Sequence, residues 1–235
     1  MGAIYRRELR AYFISPVGYV FVGVFLCLAG AFFALSTLYS GTTSLSSYFT
    51  YVLMSFVVLI PLLTMRLFSE ERKSRTEQLL LTSPVSLWGM VMAKFFAAFT
   101  LFGATLLVSC LNFLFIKGEY GAINVPVMLA QLLGVLLCGA AFCALGIFLS
   151  SLTENQLIAA LTSIGAIVAM LGLGFITSGI ENTALRVTLK WFSVSDRFYT
   201  FSYGLFDFVS LFYYVSIAFV FLFLTVRVLE KRRWA

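Results

Sequence analysis

Apolar residues run along this chain in six blocks, each close to the ~20 residues that a helix needs to cross a hydrocarbon core. The pattern predicts spans at about 17–38, 49–67, 91–116, 125–149, 157–177 and 208–226. Residues 1–15 read differently: Ile4, Leu9, Tyr12 and Phe13 can face lipid while Arg6, Arg7 and Arg10 face headgroups, which predicts an interfacial helix. Pro16 marks the break into the bilayer. Pro61, inside the second block, should kink that helix and free a backbone carbonyl. The predicted fold is all-α, a polytopic membrane protein of six transmembrane helices in one domain, with no internal repeat.

The connections are short. Residues 39–48 carry no charge, 117–124 form a polar turn, and 150–156 form a tight one centred on Thr153, Glu154 and Asn155. Residues 178–207 are the longest connection, with amphipathic spacing at Leu185, Leu189 and Phe192, then an aromatic run over 198–203 suited to a membrane interface. Small residues four apart, Gly139 with Cys143, Ala140 with Ala144 and Gly165 with Ala169, allow close helix approach, inside one subunit or at a dimer seam.

Residues 66–84 break the apolar pattern most sharply, holding the densest charge in the chain. Ser74 and Glu77 form an S-x-x-E capping box before Leu79, Leu80 and Leu81, which predicts a short helix from Ser74, closed by Pro84. Two readings fit this segment: a solvated positive loop that fixes membrane orientation, or a docking helix for a partner in the cytoplasm.

Composition agrees with the pattern. Of 235 residues 61% are hydrophobic and 11% charged, with a mean hydropathy of +1.01, against about 25% charged residues in a soluble domain. The net charge of +6 lies at the edges of the apolar blocks rather than along a groove interleaved with aromatics, so no nucleic-acid partner is expected. With six spans both termini share a side, and that side carries 12 of the 16 Lys and Arg residues. The positive-inside rule then makes the termini and residues 66–84 cytoplasmic. The first block lacks a small-residue cleavage site and reads as an uncleaved span.

Chemistry is sparse. The chain has no histidine, which removes Ser-His and Cys-His nucleophile pairs, and no G-x-x-x-x-G-K-[ST] loop for nucleotide. Cys27, Cys110, Cys138 and Cys143 fall inside apolar blocks without metal-ligand spacing and read as packing residues. No charged side chain is expected inside a span, where each would cost about 2.5–3.5 kcal/mol; Trp88 and Lys94 read as interface markers at the start of the third. Any work done on a solute must then be supplied from outside the bilayer.

The chain resembles the ABC-2 type permeases, and among them the gliding-motility-associated permease subunit. The resemblance lies in residues 7–19, in Pro61 and Arg66 through Lys73, and in Thr76, Leu79, Leu80, Thr82, Pro84 and Lys94. It continues in residues 150–156, in Phe198, Gly204 and Asp207, and in residues 228–234. It implies a subunit of the bacterial inner membrane that pairs with a second permease copy, as a homo- or heterodimer, and with ABC ATPase subunits that bind ATP and magnesium. No cofactor is expected in this chain itself. An additional membrane or periplasmic subunit is a further partner that the resemblance allows. Carried over by position, the ATPase contact falls on Glu70, Glu71, Arg72, Lys73, Arg75, Thr76 and Glu77, with residues 178–207 as the external hairpin. The family commonly has glycine where this chain has Arg75, and glutamate where it has Gln78. A membrane anchor that translocates nothing shares these features; an intramembrane enzyme is disfavoured by the missing histidine.

Overall fold

A computed structural model describes residues 2–39, 45–76, 86–115, 124–178 and 193–234. Among the described residues six helices are long and apolar enough to cross a membrane: Pro16–Leu38, Ser46–Lys73, Leu87–Phe113, Val125–Leu152, Gln156–Gly174 and Phe208–Arg233. No strand occurs among the described residues. The chain is an all-α, multi-pass membrane protein.

In chain order, α1 (Gly2–Ile14) stops at Ser15, whose extended backbone (φ −88°, ψ 151°) lets Pro16 open α2 (Pro16–Phe33), with a π turn at Ala34–Leu38. Proline suits the first turn of a helix because the amide it lacks has no partner there anyway. Then come α3 (Ser46–Thr64), α4 (Arg66–Lys73), α5 (Leu87–Ser109), α6 (Val125–Leu152), α7 (Gln156–Ser178), α8 (Val194–Ser202) and α9 (Phe208–Trp234). The end of the bundle that gathers α1, α4, the start of α5, the α6–α7 turn and the end of α9 is called the charged end below.

Helix α6 is the axis, packing against α3, α4, α5, α7, α8 and α9. Lipid tails give no hydrophobic drive between spans, so close van der Waals fit has to hold them, and small residues permit it. A Cβ at Gly139 would stand 2.4 Å from the Phe102 ring of α5, and one at Gly146 would stand 2.2 Å from Thr64 Oγ1 of α3. A Cβ at Gly165, by contrast, would meet nothing within 4 Å, so of the two glycines in the small-residue pairs only Gly139 is a point of close helix approach among the described residues.

Away from the charged end, α8 tucks into the bundle. Phe198 and Phe201 are buried while Tyr199 and Tyr203 are exposed, so half of the predicted interfacial aromatics are core. Gln131 Nε2 donates to Ser202 O at 2.8 Å, Ser195 Oγ to Leu171 O at 3.1 Å and Tyr214 OH to Val194 O at 2.9 Å, tying α8 to α6, α7 and α9. Gly204 (φ +76°) makes the following turn, and Asp207 caps α9 by accepting from Val209 N and Ser210 N. The Ser210 hydroxyl bond, helped by those amides, holds the Asp207 carboxyl below its usual range. Leu185, Leu189 and Phe192 lie outside the described residues.

Candidate functional site: a buried ion cluster beneath the charged helix

Two structural findings correct the sequence reading of the charged end. First, the described residues hold a helix before Ser74, α4 at Arg66–Lys73, and no helix opens at Ser74 itself. Ser74 caps its C-terminus: the backbone is helical at Ser74 (φ −82°, ψ −1°), and Ser74 Oγ donates to Glu70 O at 2.8 Å and bonds Thr76 Oγ1 at 2.9 Å. Arg75 then takes φ +58°, which no helix opening at Ser74 permits. Left-handed backbone costs an L side chain about 1–2 kcal/mol and glycine none of this. Arg75→Gly is expected to be about 1 kcal/mol more stable than Arg75→Ala, read from chemical denaturation in detergent. Glu77, Leu79, Leu80, Leu81 and Pro84 lie outside the described residues.

Second, Lys94 is no interface marker. The third span begins at Leu87, so Lys94 lies seven residues, about 10 Å, along it, and it is 0% exposed. Its three donors are satisfied: Nζ lies 3.2 Å from Glu8 Oε1, 2.9 Å from Glu71 Oε1 and 2.8 Å from Leu67 O. The ammonium also lies 5.0 Å from the centre of the Phe68 ring. Arg7 closes the group, with Nη2 at 2.5 Å from Glu8 Oε1 and 2.8 Å from Glu71 Oε1. Two cations and two carboxylates thus form a neutral quartet, which is how buried charge becomes tolerable. Burial alone would lower the Arg7 pKa; the hydrogen bond to Glu8 and the charges of Glu8 and Glu71 outweigh it and raise the pKa.

The quartet joins α1, α4 and α5. Its neighbours extend the joint: Tyr12 OH donates to Leu63 O at 2.9 Å, and Arg66 Nη1 donates to Ser15 Oγ at 2.6 Å while Nε pairs with Glu70 at 2.9 Å. Tyr12, expected to face lipid, is therefore inside, 3% exposed. A cavity of about 280 Å³, lined by Arg7, Glu8, Arg66, Glu71, Ser74 and Lys94 among others, opens beside the quartet. Glu71 Oε2 is buried there without a hydrogen-bond partner among the described residues.

A single hydroxyl secures the other side of α4. The second span runs through Pro61 to Thr64, breaks for one residue at Met65, and resumes as α4. Ser150 Oγ of α6 donates to Met65 O at 2.9 Å and accepts from Phe68 N at 3.2 Å and Ser69 N at 3.3 Å. Beyond it, Arg72 Nη1 donates to Leu152 O at 2.9 Å and Nε pairs with Glu154 at 2.8 Å. Thr153 Oγ1 accepts from Asn155 N and Asn155 Oδ1 from Leu157 N, shaping the turn that presents Glu154. Arg232 Nη2 of α9 reaches Ser151 O at 2.6 Å.

The positions named from sequence therefore divide. Glu71 and Arg72 point into the protein and hold α4 in place, whereas Glu70, Lys73, Arg75 and Thr76 are exposed. Arg6, Arg7 and Arg10 are all exposed on α1, and of the three Arg7, with half its side chain in the open, reaches into the quartet. The residues missed from sequence are Glu8, Lys94 and Ser150. A signal for Glu8 was present: Ile4, Glu8 and Tyr12 lie four apart, so the apolar stripe of α1 contains a carboxylate that needs a cation.

This arrangement is that of a multi-pass membrane protein with a charged helix braced against several spans at one end. Residues 31–229 match the family described as ABC-2 family transporter protein, and the chain belongs to that family. Membership makes it a permease subunit of an ABC transporter, a membrane component that is not itself catalytic, and implies ABC ATPase subunits as partners. No curated protein matches the chain. Arg7 and Glu8 lie before the matched residues, so the α1 side of the quartet is known from the structure alone.

Proposed function

We propose that this permease receives the work of an ABC ATPase through α4 and exports a solute across the bacterial inner membrane. The observation that carries this reading is the bracing of α4. The quartet, Ser150 and the Arg72–Glu154 pair fasten it to α1, α5 and α6, so force on its exposed face passes into the spans. The ATPase, which binds ATP and magnesium, meets Glu70, Lys73, Arg75 and Thr76 and the residues from Glu77 onward. The excess of Lys and Arg at the charged end, 12 of 16, supports a cytoplasmic location for it and for both termini. Thr153, Glu154 and Asn155 then form a cytoplasmic turn behind α4, and residues 178–207 the external hairpin. The functional unit is a pair of permease copies, identical or not, with two ATPases. The order and spacing of the motifs along the whole chain are the ground for reading it as a gliding-motility-associated transporter; a deletion strain that glides normally would speak against that assignment.

The test uses the exposed face, because changes at Glu71 or Arg72 would disturb the fold itself. Lys73 and Arg75 make no ion pair with a described residue. Lys73→Glu with Arg75→Glu is expected to weaken co-purification of the ATPase about tenfold or more while moving permease stability by less than about 0.5 kcal/mol. Undiminished ATPase binding would place the contact elsewhere. Intact binding and transport-free ATP turnover in the unmodified complex would favour a membrane anchor instead.

A further inference from the structure

Between α5, α6 and α9 lies an apolar groove of about 490 Å³, walled by Trp88, Phe95, Phe99, Tyr214, Phe219 and Leu222 among others. That is within the usual range of small-molecule pockets, about 300–1,000 Å³. Trp88 is 38% and Phe219 59% exposed, so the groove opens sideways, toward the lipid that surrounds the spans. From Trp88 to Phe99 it follows α5 for eleven residues, about 16 Å, against a leaflet depth of about 15 Å.

At the charged end the groove meets a second recess of about 290 Å³, which shares Trp88 and is lined by Phe223, Arg227, Glu230 and Arg233. An aromatic series leads from one to the other: Trp88 stacks on Phe219 at 6.0 Å, and Arg227 lies 5.0 Å from the centre of the Phe223 ring. Arg227 pairs with Glu230 at 2.7 Å, and Arg233 makes no ion pair with a described residue, so the recess keeps an excess positive charge.

We infer that groove and recess together bind one anionic phospholipid, with an acyl chain along Trp88, Phe95 and Phe99 and the phosphate group against Arg227 and Arg233. The groove is one leaflet deep, its wall is apolar, and its mouth is cationic at the level where Trp residues meet headgroups. A zwitterionic lipid fits the apolar wall equally well but gains less from the arginines, each of which favours an anionic headgroup by about fivefold. The site is separate from the α4 contact, so it stands or falls independently of the coupling assignment.

The full chain, purified in mild detergent with equal amounts of phosphatidylglycerol and phosphatidylcholine of the same acyl chains, tests this by native mass spectrometry. Phosphatidylglycerol is expected to be retained about fivefold over phosphatidylcholine, from the one positive charge that Glu230 leaves in excess. Arg227→Gln with Arg233→Gln should bring the ratio close to one, and Ala218→Trp, which fills the groove, should strip both lipids. Millimolar inorganic phosphate should not displace the bound lipid. Equal retention by the unmodified chain, preference that survives the arginine changes, or displacement by phosphate would each overturn the inference. So would a disulfide between two copies carrying Phe219→Cys, in a background without the four native cysteines, since it would seat a second copy there.

Discussion

Lys94→Met is expected to destabilise the solubilised chain by about 3–5 kcal/mol, the cost of removing one partner from a buried ion pair. The methionine fills the volume, but Glu8 and Glu71 then face each other with only Arg7 between them, and Leu67 O loses the lysine's hydrogen bond. Chemical denaturation in detergent measures the loss. Adding Glu71→Met to Lys94→Met should recover at least half of it, because the Arg7–Glu8 pair survives and an apolar pair replaces a charged one. Transport should stay low in both variants, since neither restores the link between α4 and α5. A single variant within about 0.5 kcal/mol of the parent would mean that the quartet is solvated and carries no strain when opened.

Ser150→Ala is expected to cost about 1–3 kcal/mol, a large effect for the loss of one oxygen atom. Phe68 N and Ser69 N, at the start of α4, both turn to that hydroxyl, and no water reaches a serine that is 0% exposed. The damage should be local. Hydrogen exchange at Phe68 and Ser69 should quicken, while amides in the middle of α6 keep their protection. Uniform loss of protection would show instead that the serine supports the bundle as a whole.

The spans were legible because the bilayer demands long apolar helices and the chain supplies them in blocks; Pro16 marked where the first of them opens. The second span ran further than its hydropathy suggested, to Lys73, because α4 continues it after a single-residue break at Met65. Polar composition hid that continuity. Ser74 misled for a different reason. A serine three residues before a glutamate reads as an N-cap, yet the same hydroxyl can turn back to the carbonyls of a preceding helix, and here it bonds Glu70 O.

Lys94 was the larger miss. One lysine near the edge of an apolar block looks like a headgroup anchor, and the rule that charges avoid span interiors argues for placing it there. What reverses the reading is partners distant in sequence, Glu8 and Glu71, on helices whose neighbourhood no local pattern reveals. Arg72 and Glu154 are alike in this respect: each looks solvated in sequence, and only the packing of α4 on α6 brings them within 2.8 Å.

The central claim is that α4 is fixed to the bundle by the Lys94 joint and moves with it. Spin labels at Lys73→Cys and Thr153→Cys, in a background without native cysteines, report the distance between α4 and the α6–α7 turn in the assembled complex. One narrow distribution, unchanged between the nucleotide-free and ATP-bound states and broadened by Lys94→Met, is the predicted result. A broad or nucleotide-shifted distribution with Lys94 in place would contradict it.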